Sequence, residues 1–400
     1  MVGWLGDIPA SWAVDPLGRW FRERKTTVSD VDYAPLSVTM QGIIPQLENV
    51  AKTDNNANRK LVRKGDFAIN SRSDRKGSAG VSTLDGSVSV ITTVLEPRGL
   101  DPFFTHYLLR SRPFQEEFYR WGHGIVADLW STKWSDMKSI KIPVPPLVEQ
   151  RAIADFLDRE TAQIDAFIAK NEQLITLLTE RRAGAIDERF AASKGADSMT
   201  VRRVLDVSQT GPFGTQLSAG EYVSGGVPVI NPTHIMAGTI QPDPDVTVTP
   251  QRARELARFH LRAGDIVLGR KGEVDKSAIT PDTLDGAICG SDSMLLRANA
   301  RVSAEYLWAF LQSPSAHSQL ERFSVGSTVV GLNQQTLRSV RLPVTSRDEQ
   351  RAVVSDLATL TASVEKGIEA ARRGIDLARE RRAALISAAV TGKIDVGVSA

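Results

Sequence analysis

The feature that most constrains this chain is that it repeats itself. Glu149-Gln150-Arg151-Ala152 recurs as Glu349-Gln350-Arg351-Ala352, and Glu180-Arg181-Arg182-Ala183 recurs as Glu380-Arg381-Arg382-Ala383, both at an offset of 200 residues. Ile142-Pro143-Val144 answers to Leu342-Pro343-Val344, and Arg63-Lys64-Gly65-Asp66 to Arg262-Ala263-Gly264-Asp265. Two identical tetrapeptides at one shared offset, with further anchors in the same order, make coincidence a poor explanation. Self-similarity at a fixed period means that one structural unit is built twice. The halves run about 1–200 and 201–400, and each reads as a globular part followed by a long helix.

The helices come from the pattern after each proline-containing segment. Residues 149–190 hold no proline and one glycine, Gly184. Apolar positions at Ile153, Leu157, Ile164, Phe167, Leu174 and Leu178 fit a 4-3 heptad spacing. The corresponding seam in the second half is Val353, Leu357, Leu360, Val364, Gly367, Ala371, Gly374, Ala378, Arg381 and Leu385. Its small residues would leave room for the large ones of the first seam. Helices of roughly 40 residues span about 60 Å, longer than a compact domain of this size needs. An antiparallel coiled coil is therefore expected, against the alternative that each helix packs only on its own domain. Ile142-Pro143-Val144-Pro145-Pro146 would stiffen the junction between the first head and its helix.

Each head mixes short strands with turn signals. Gly65-Asp66 and Gly264-Asp265 read as turns leading into strands, Ser87 to Leu95 and Ala287 to Arg297 as strands, and Pro102 to Trp121 and Ala304 to Phe323 as helices. The expected class is α+β: two α/β domains in tandem at 1–146 and 194–346, spacer helices at 147–193 and 347–392, and a tail at 393–400.

The net charge of +2 at pH 7 is too small for a basic tail, so nucleic-acid binding would need local patches. One exists: between Lys52 and Lys76 eight basic residues face three acidic ones, with Asn55, Asn56 and Asn58 among them. Lys and Arg neutralise phosphates, whereas Arg, Asn and Gln can pair with base edges. Gly269-Arg270-Lys271-Gly272 and Lys276 occupy the equivalent loop of the second half, where flanking glycines let backbone approach a phosphate. A solvated loop is the plainer alternative for both. Later come two polar loops, Gly122 to Lys133 and Gly326 to Thr336; there Asn333 and Gln335 could read adenine, or Asn333 could simply cap a helix. The residues assigned to DNA contact are Lys52, Asn55, Asn56, Arg59, Arg72, Arg75, Lys76, Lys133, Thr215, Gln216, Arg270, Lys271, Lys276, Ser327, Asn333 and Gln335.

Signs of catalysis are weak. No Gly-x-x-x-x-Gly-Lys-Ser/Thr loop for ATP is present. Asn231-Pro232-Thr233-His234 departs from the adenine-methyltransferase pattern in its third and fourth positions, and Asp265 with Glu273 to Lys276 has the wrong spacing for an acidic nuclease site. The five histidines are scattered, so no metal site is expected. The single cysteine, Cys289, sits in a small-apolar stretch that reads as buried strand. It allows no internal disulfide, and with no visible signal peptide or apolar run of about 20 residues a reducing, cytoplasmic setting is expected.

Taken in order, several segments resemble the specificity subunits of Type I restriction-modification systems. Trp4 to Trp12 is similar to that family's opening. Gly211-Pro212-Phe213-Gly214-Thr215 followed by Gly226 to Ile230 is similar to the start of its target recognition domains, Pro143 to Ala152 to the entry of its first conserved helix, and Gly392-Lys393-Ile394 to the close of its second. His123 to Thr132 departs from its counterpart in the second half, being longer and containing Trp130. The resemblance implies a non-catalytic subunit whose two recognition domains each read half of an interrupted double-stranded DNA target. It implies helices that set the gap and dock methylation subunits. S-adenosylmethionine would then belong to those partners, and ATP and Mg to a restriction subunit. The alternatives are a coiled-coil interaction protein that binds no DNA, and the specificity part of a stand-alone restriction enzyme.

Overall fold

The computed structural model describes residues 3–46, 58–72, 76–124, 130–193, 196–212, 214–236, 238–270, 276–324 and 334–397. The chain divides into two compact units, Met1–Glu172 with Arg372–Ala400, and Gln173–Ala371. Each unit is a sheet-rich head carrying part of both long helices.

In the first unit four antiparallel strands stand in the spatial order Phe21–Glu23, Thr92–Pro97, Phe67–Asn70, Ala79–Val81. In the second the order is Leu205–Thr210, Ser293–Ala298, Ile266–Gly269, Ser277–Ile279. The duplicated sequence thus builds a duplicated topology. The central strands are apolar at consecutive positions because both faces are covered: Phe67 and Ile69 point into one core cluster, Ala68 into another. Ile266 and Leu268 separate from Val267 in the same way.

The Gly-Asp anchors close the turns that feed these strands. Gly65 and Gly264 have φ of 92° and 84°, a conformation that strains any residue with a Cβ. The aspartate that follows accepts the backbone N–H three residues earlier, Asp66 from Arg63 at 2.8 Å and Asp265 from Arg262 at 2.7 Å.

Two expectations are corrected. Each predicted head helix is a pair: Pro102–Arg110 with Arg112–Arg120, and Ala304–Leu311 with Pro314–Ser324. Pro113 and Pro314 cannot continue a helix, and Ser111 and Ser313 each accept a backbone N–H of the following one. Each predicted strand is likewise two, Gly86–Val88 with Thr92–Pro97 and Ile288–Cys289 with Ser293–Ala298, divided by turns closed by Thr92 N–H to Ser89 O and Ser293 N–H to Gly290 O.

The long helices are Leu147–Ala191 and Arg347–Val390. They run antiparallel within each unit. Asp165 pairs with Arg382 and Glu172 with Arg379 in the first, Arg182 with Glu365 and Arg189 with Asp356 in the second. Within each unit the start of one long helix packs on the head core together with the end of the other. Ile153, Ala154 and Leu157 share a cluster with Ala389 and Val390; Val353 and Leu357 share one with Ile186 and Phe190.

Along the seam Ile153, Leu157, Ile164, Val353, Leu357, Val364, Ala371 and Ala378 are buried, while Leu178, Leu360 and Leu385 are half-buried. Phe167 and Leu174 are exposed instead, and Ile368 and Ile375 fill the second helix's seam. Phe167 lies against Gly374 and Leu178 against Gly367. The glycines thus flank the seam, giving large side chains a place to lie, while the isoleucines one position along enter it.

Candidate nucleic-acid interface

In the first head two loops distant in sequence are laced together. The strand Phe67–Asn70 runs out into Ser71 and Arg72, where Ser71 O accepts the Thr132 N–H at 3.0 Å and Arg72 bridges to Ser131. Ser131 in turn exchanges two backbone hydrogen bonds with His123, at 3.0 and 3.1 Å. Thr132 is anchored below through its hydroxyl to Phe118 O at 2.8 Å. Arg72, His123 and Lys133, all exposed, thus share one polar surface. Trp130 lies over Gly122, where a Cβ would meet its indole Nε1 at 2.0 Å, and keeps 39% of its surface exposed. The ammonium of exposed Lys76 stands 5.2 Å from the centre of the Tyr119 ring, near the start of the same loop.

Arg59 behaves differently from the rest of the basic cluster. It is buried, and its guanidinium donates to Ser87 Oγ at 2.8 Å and Ser87 O at 3.0 Å. Burial holds its pKa below the usual arginine value. Its bonds tie one strand to the next and do not face solvent. Lys52, Asn55, Asn56, Arg75, Lys271, Ser327 and Asn333 lie outside the described residues.

In the second head Arg270 follows the strand Ile266–Gly269 and leans on the turn at 290–293. Its backbone N–H donates to Asp292 O at 2.9 Å and its Nη1 to Ser291 O at 3.3 Å. Gly211 meets the same turn, since a Cβ there would collide with Gly290 O at 1.8 Å. Thr215 and Gln216 follow in an exposed turn, Gly214–Gln216. Lys276 returns the loop to the sheet, its carbonyl accepting the Gly269 N–H at 2.9 Å. Gln335 is exposed on the short helix Gln334–Ser339, from which Arg338 reaches Ser208 O at 3.3 Å. Arg338 was not legible as part of this arrangement, because its partner is a backbone carbonyl 130 residues away.

The weak catalytic motifs have structural roles. Asn231 and His234 form a reciprocal cap on one short turn, and Gly290 packs on Asn231 Oδ1. Cys289 is fully buried, which pushes its thiol pKa far above the ordinary value and removes it as a nucleophile. Asp265 is buried in an ion pair with Arg297. Among the described residues no three His, Cys, Asp or Glu side chains are grouped to hold a metal ion, and no helix is long and apolar enough to cross a membrane.

Comparison with known proteins places this geometry. The family described as Type I restriction modification DNA specificity domain matches twice, over residues 18–177 and 197–371. The chain is 25% identical over 259 residues to the Type I restriction enzyme EcoBI specificity subunit of Escherichia coli, covering 57% of this chain and 53% of that one. It is 22% identical over 282 residues to the MjaVIII specificity subunit of Methanocaldococcus jannaschii, covering 65% and 63%. The matches thus span between half and two thirds of those relatives. Among solved structures, a chain from work on complex assembly and conformational transition of the type I R-M system superposes with a TM-score of 0.76 at 17% identity, over 97% of this chain and 100% of that one. The HsdS subunit from Thermoanaerobacter tengcongensis superposes at 0.54, also at 17% identity, over 97% and 98%. At such identities these likenesses establish the fold.

Proposed function

This chain belongs to the Type I restriction modification DNA specificity family, and on that premise we propose that it reads a two-part DNA target, one half with each head. The observation that carries the reading is the duplicated head: the same four-strand order twice, each time with an arginine-bearing loop leaving the equivalent strand, at Arg72 and at Arg270. Arg72, Lys76 and Lys133 would hold phosphates and fix register, because cations contact the backbone whatever the sequence. Arg270, Gln216 and Gln335 have the chemistry to pair with base edges. The helix pair would set the gap between the half-sites.

Catalysis would then belong to methylation and restriction partners, with S-adenosylmethionine and ATP bound there. For docking, the helix pair of the first unit offers an apolar groove between Ile164, Phe167, Gly374, Leu377 and Ala378, in which Leu377 is 66% exposed. An exposed apolar surface of this kind fits a protein partner. The test is single-molecule sequencing of methylated adenines in host DNA with and without this gene. Loss of one interrupted two-part motif is the expected result; an unchanged methylation pattern in cells that hold the methylation partner would overturn the proposal.

A further inference from the structure

Gln150 and Gln350, the second residues of the repeated tetrapeptide, are 2% and 1% exposed. A primary amide is expensive to bury unless both its ends are bonded. Both ends are. Gln150 Oε1 accepts the Asp101 N–H at 2.8 Å and its Nε2 donates to Pro145 O at 2.8 Å. Gln350 Oε1 accepts the Ser303 N–H at 2.9 Å, and its Nε2 donates to Arg301 O and Thr345 O, each at 2.9 Å.

Two of the partners are equivalent in the two units, and the bond to Arg301 O is an addition in the second. Asp101 and Ser303 are the residues that cap the first helix of each head, accepting the N–H groups of Phe103 and Phe104 and of Tyr306. Those helices send Phe104 and Leu108, and Tyr306 and Leu307, into the head cores. Pro145 and Thr345 belong to the connectors that lead into the long helices. One side chain therefore joins three segments: the first turn of the long helix, its connector, and the rigid frame of the head. All its partners are backbone atoms, so no rotamer change elsewhere can absorb a rotation of head against helix.

We propose that Gln150 and Gln350 are positioning residues that determine how strictly the gap between half-sites is enforced. The inference rests on the two-part reading above. Changing the gap by one base pair moves a half-site by about 3.4 Å and turns it by about 35° around the duplex axis. A head can follow only by pivoting on its helix, and the buried amide opposes that pivot. Base-reading loops are untouched by it, so gap tolerance and half-site sequence are separable.

The test substitutes Gln150→Met, which keeps the side chain's length and removes both polar bonds, in the full chain co-expressed with its partner subunits. Adenine methylation is mapped across the genome. The wild type is expected to modify one gap. Q150M is expected to modify the same half-sites also at gaps one base pair longer or shorter, its preference for the native gap falling at least about tenfold, equivalent to about 1.4 kcal/mol. Q350M gives the same result independently, from the other unit. A folded variant that keeps the wild-type gap preference, even with a lowered Tm, overturns the proposal, as does a change in the half-site bases. If neither variant assembles, the amides serve folding alone and the proposal falls. A wild-type complex with no two-part motif overturns the underlying reading; a wild-type motif with unshifted variants overturns this inference alone.

Discussion

Arg297 closes on Asp265 through two parallel hydrogen bonds, Nε to Oδ1 at 2.8 Å and Nη2 to Oδ2 at 2.6 Å. In the other unit Asp66 takes the same part with Arg24, Nε to Oδ2 at 2.7 Å and Nη2 to Oδ1 at 3.0 Å. The aspartate is repeated in sequence, but Arg297 lies within the strand Ser293–Ala298 while Arg24 follows the strand Phe21–Glu23, so the pair is built from unlike parts. Both arginine pKa values are raised, chiefly by the aspartate hydrogen bond. Asp265→Ala would leave the half-buried Arg297 guanidinium without its partner and free the Arg262 N–H. We expect a loss of about 1–3 kcal/mol in urea unfolding, with the smaller loss in Asp265→Asn, whose amide oxygen still accepts. A loss below about 1 kcal/mol would instead class the pair with solvent-screened surface ion pairs.

Acid should weaken the first unit through His106. Burial, with Arg110 and Arg382 nearby, lowers its pKa from 6.5 to about 4. Between those values the unfolded chain binds the proton and the folded one does not, so stability falls as pH drops from about 6.5 to about 4. The contribution is on the order of 3 kcal/mol. Thermal unfolding across this range should show the decline, and His106→Gln should flatten it. An equal slope in the variant would mean that another group carries the acid sensitivity.

How much of this was legible in the sequence depends on the range of the interaction. The repeat, the long helices and the Gly-Asp turns follow from local pattern. The breaks in the head helices are masked by apolar spacing that carries across them, and only Pro113 and Pro314 signal them in the sequence. The turn before the strand carrying Thr92 is hidden because Ser87 to Leu95 stays rich in β-branched residues through it. Arg59 looked like its basic neighbours, yet its burial depends on Ser87, 28 residues away. The lacing of Arg72 to Ser131 is of the same kind: only pairing in space brings the two loops together.

The seam offers a direct check on that reading. Ile368 is 5% exposed and Phe167 49%, although the heptad favoured Phe167. Ile368→Ala should cost about 2–5 kcal/mol, as a fully buried truncation does. Phe167→Ala should cost less despite the larger side chain, since half of its surface already meets solvent. Equal losses in denaturant unfolding would put Phe167 back in the seam.

Gly122 is the support of Trp130. A Cβ would meet the indole at 2.0 Å, so Gly122→Ala must push the ring off its seat. The atoms met first belong to a half-exposed side chain and not to the backbone, and Thr132 Oγ1 at 3.1 Å need give by only a few tenths of an ångström, so the head should keep its stability to within about 1 kcal/mol. Trp130 emission should change, and affinity for the two-part target should fall. Unchanged affinity beside an altered emission would show that the ring takes no part in binding.

Arg72 and Lys133 separate two ways of touching DNA. If both contact phosphates, Arg72→Ala and Lys133→Ala each weaken binding to target and non-target DNA alike. Each also lowers the slope of log affinity against log salt by about 1, because one fewer counterion is released. An arginine that reads a base behaves otherwise: its loss costs about 1–3 kcal/mol on the target alone and relaxes specificity at one position. Arg72 is exposed, and Asn70 Oδ1 accepts its backbone N–H at 3.1 Å, which fixes the chain there. We expect the phosphate pattern for both residues in titrations between about 50 and 200 mM salt. A target-only loss for Arg72 would move it from positioning to sequence reading and would identify the 71–72 turn as the part of the first head that enters the groove.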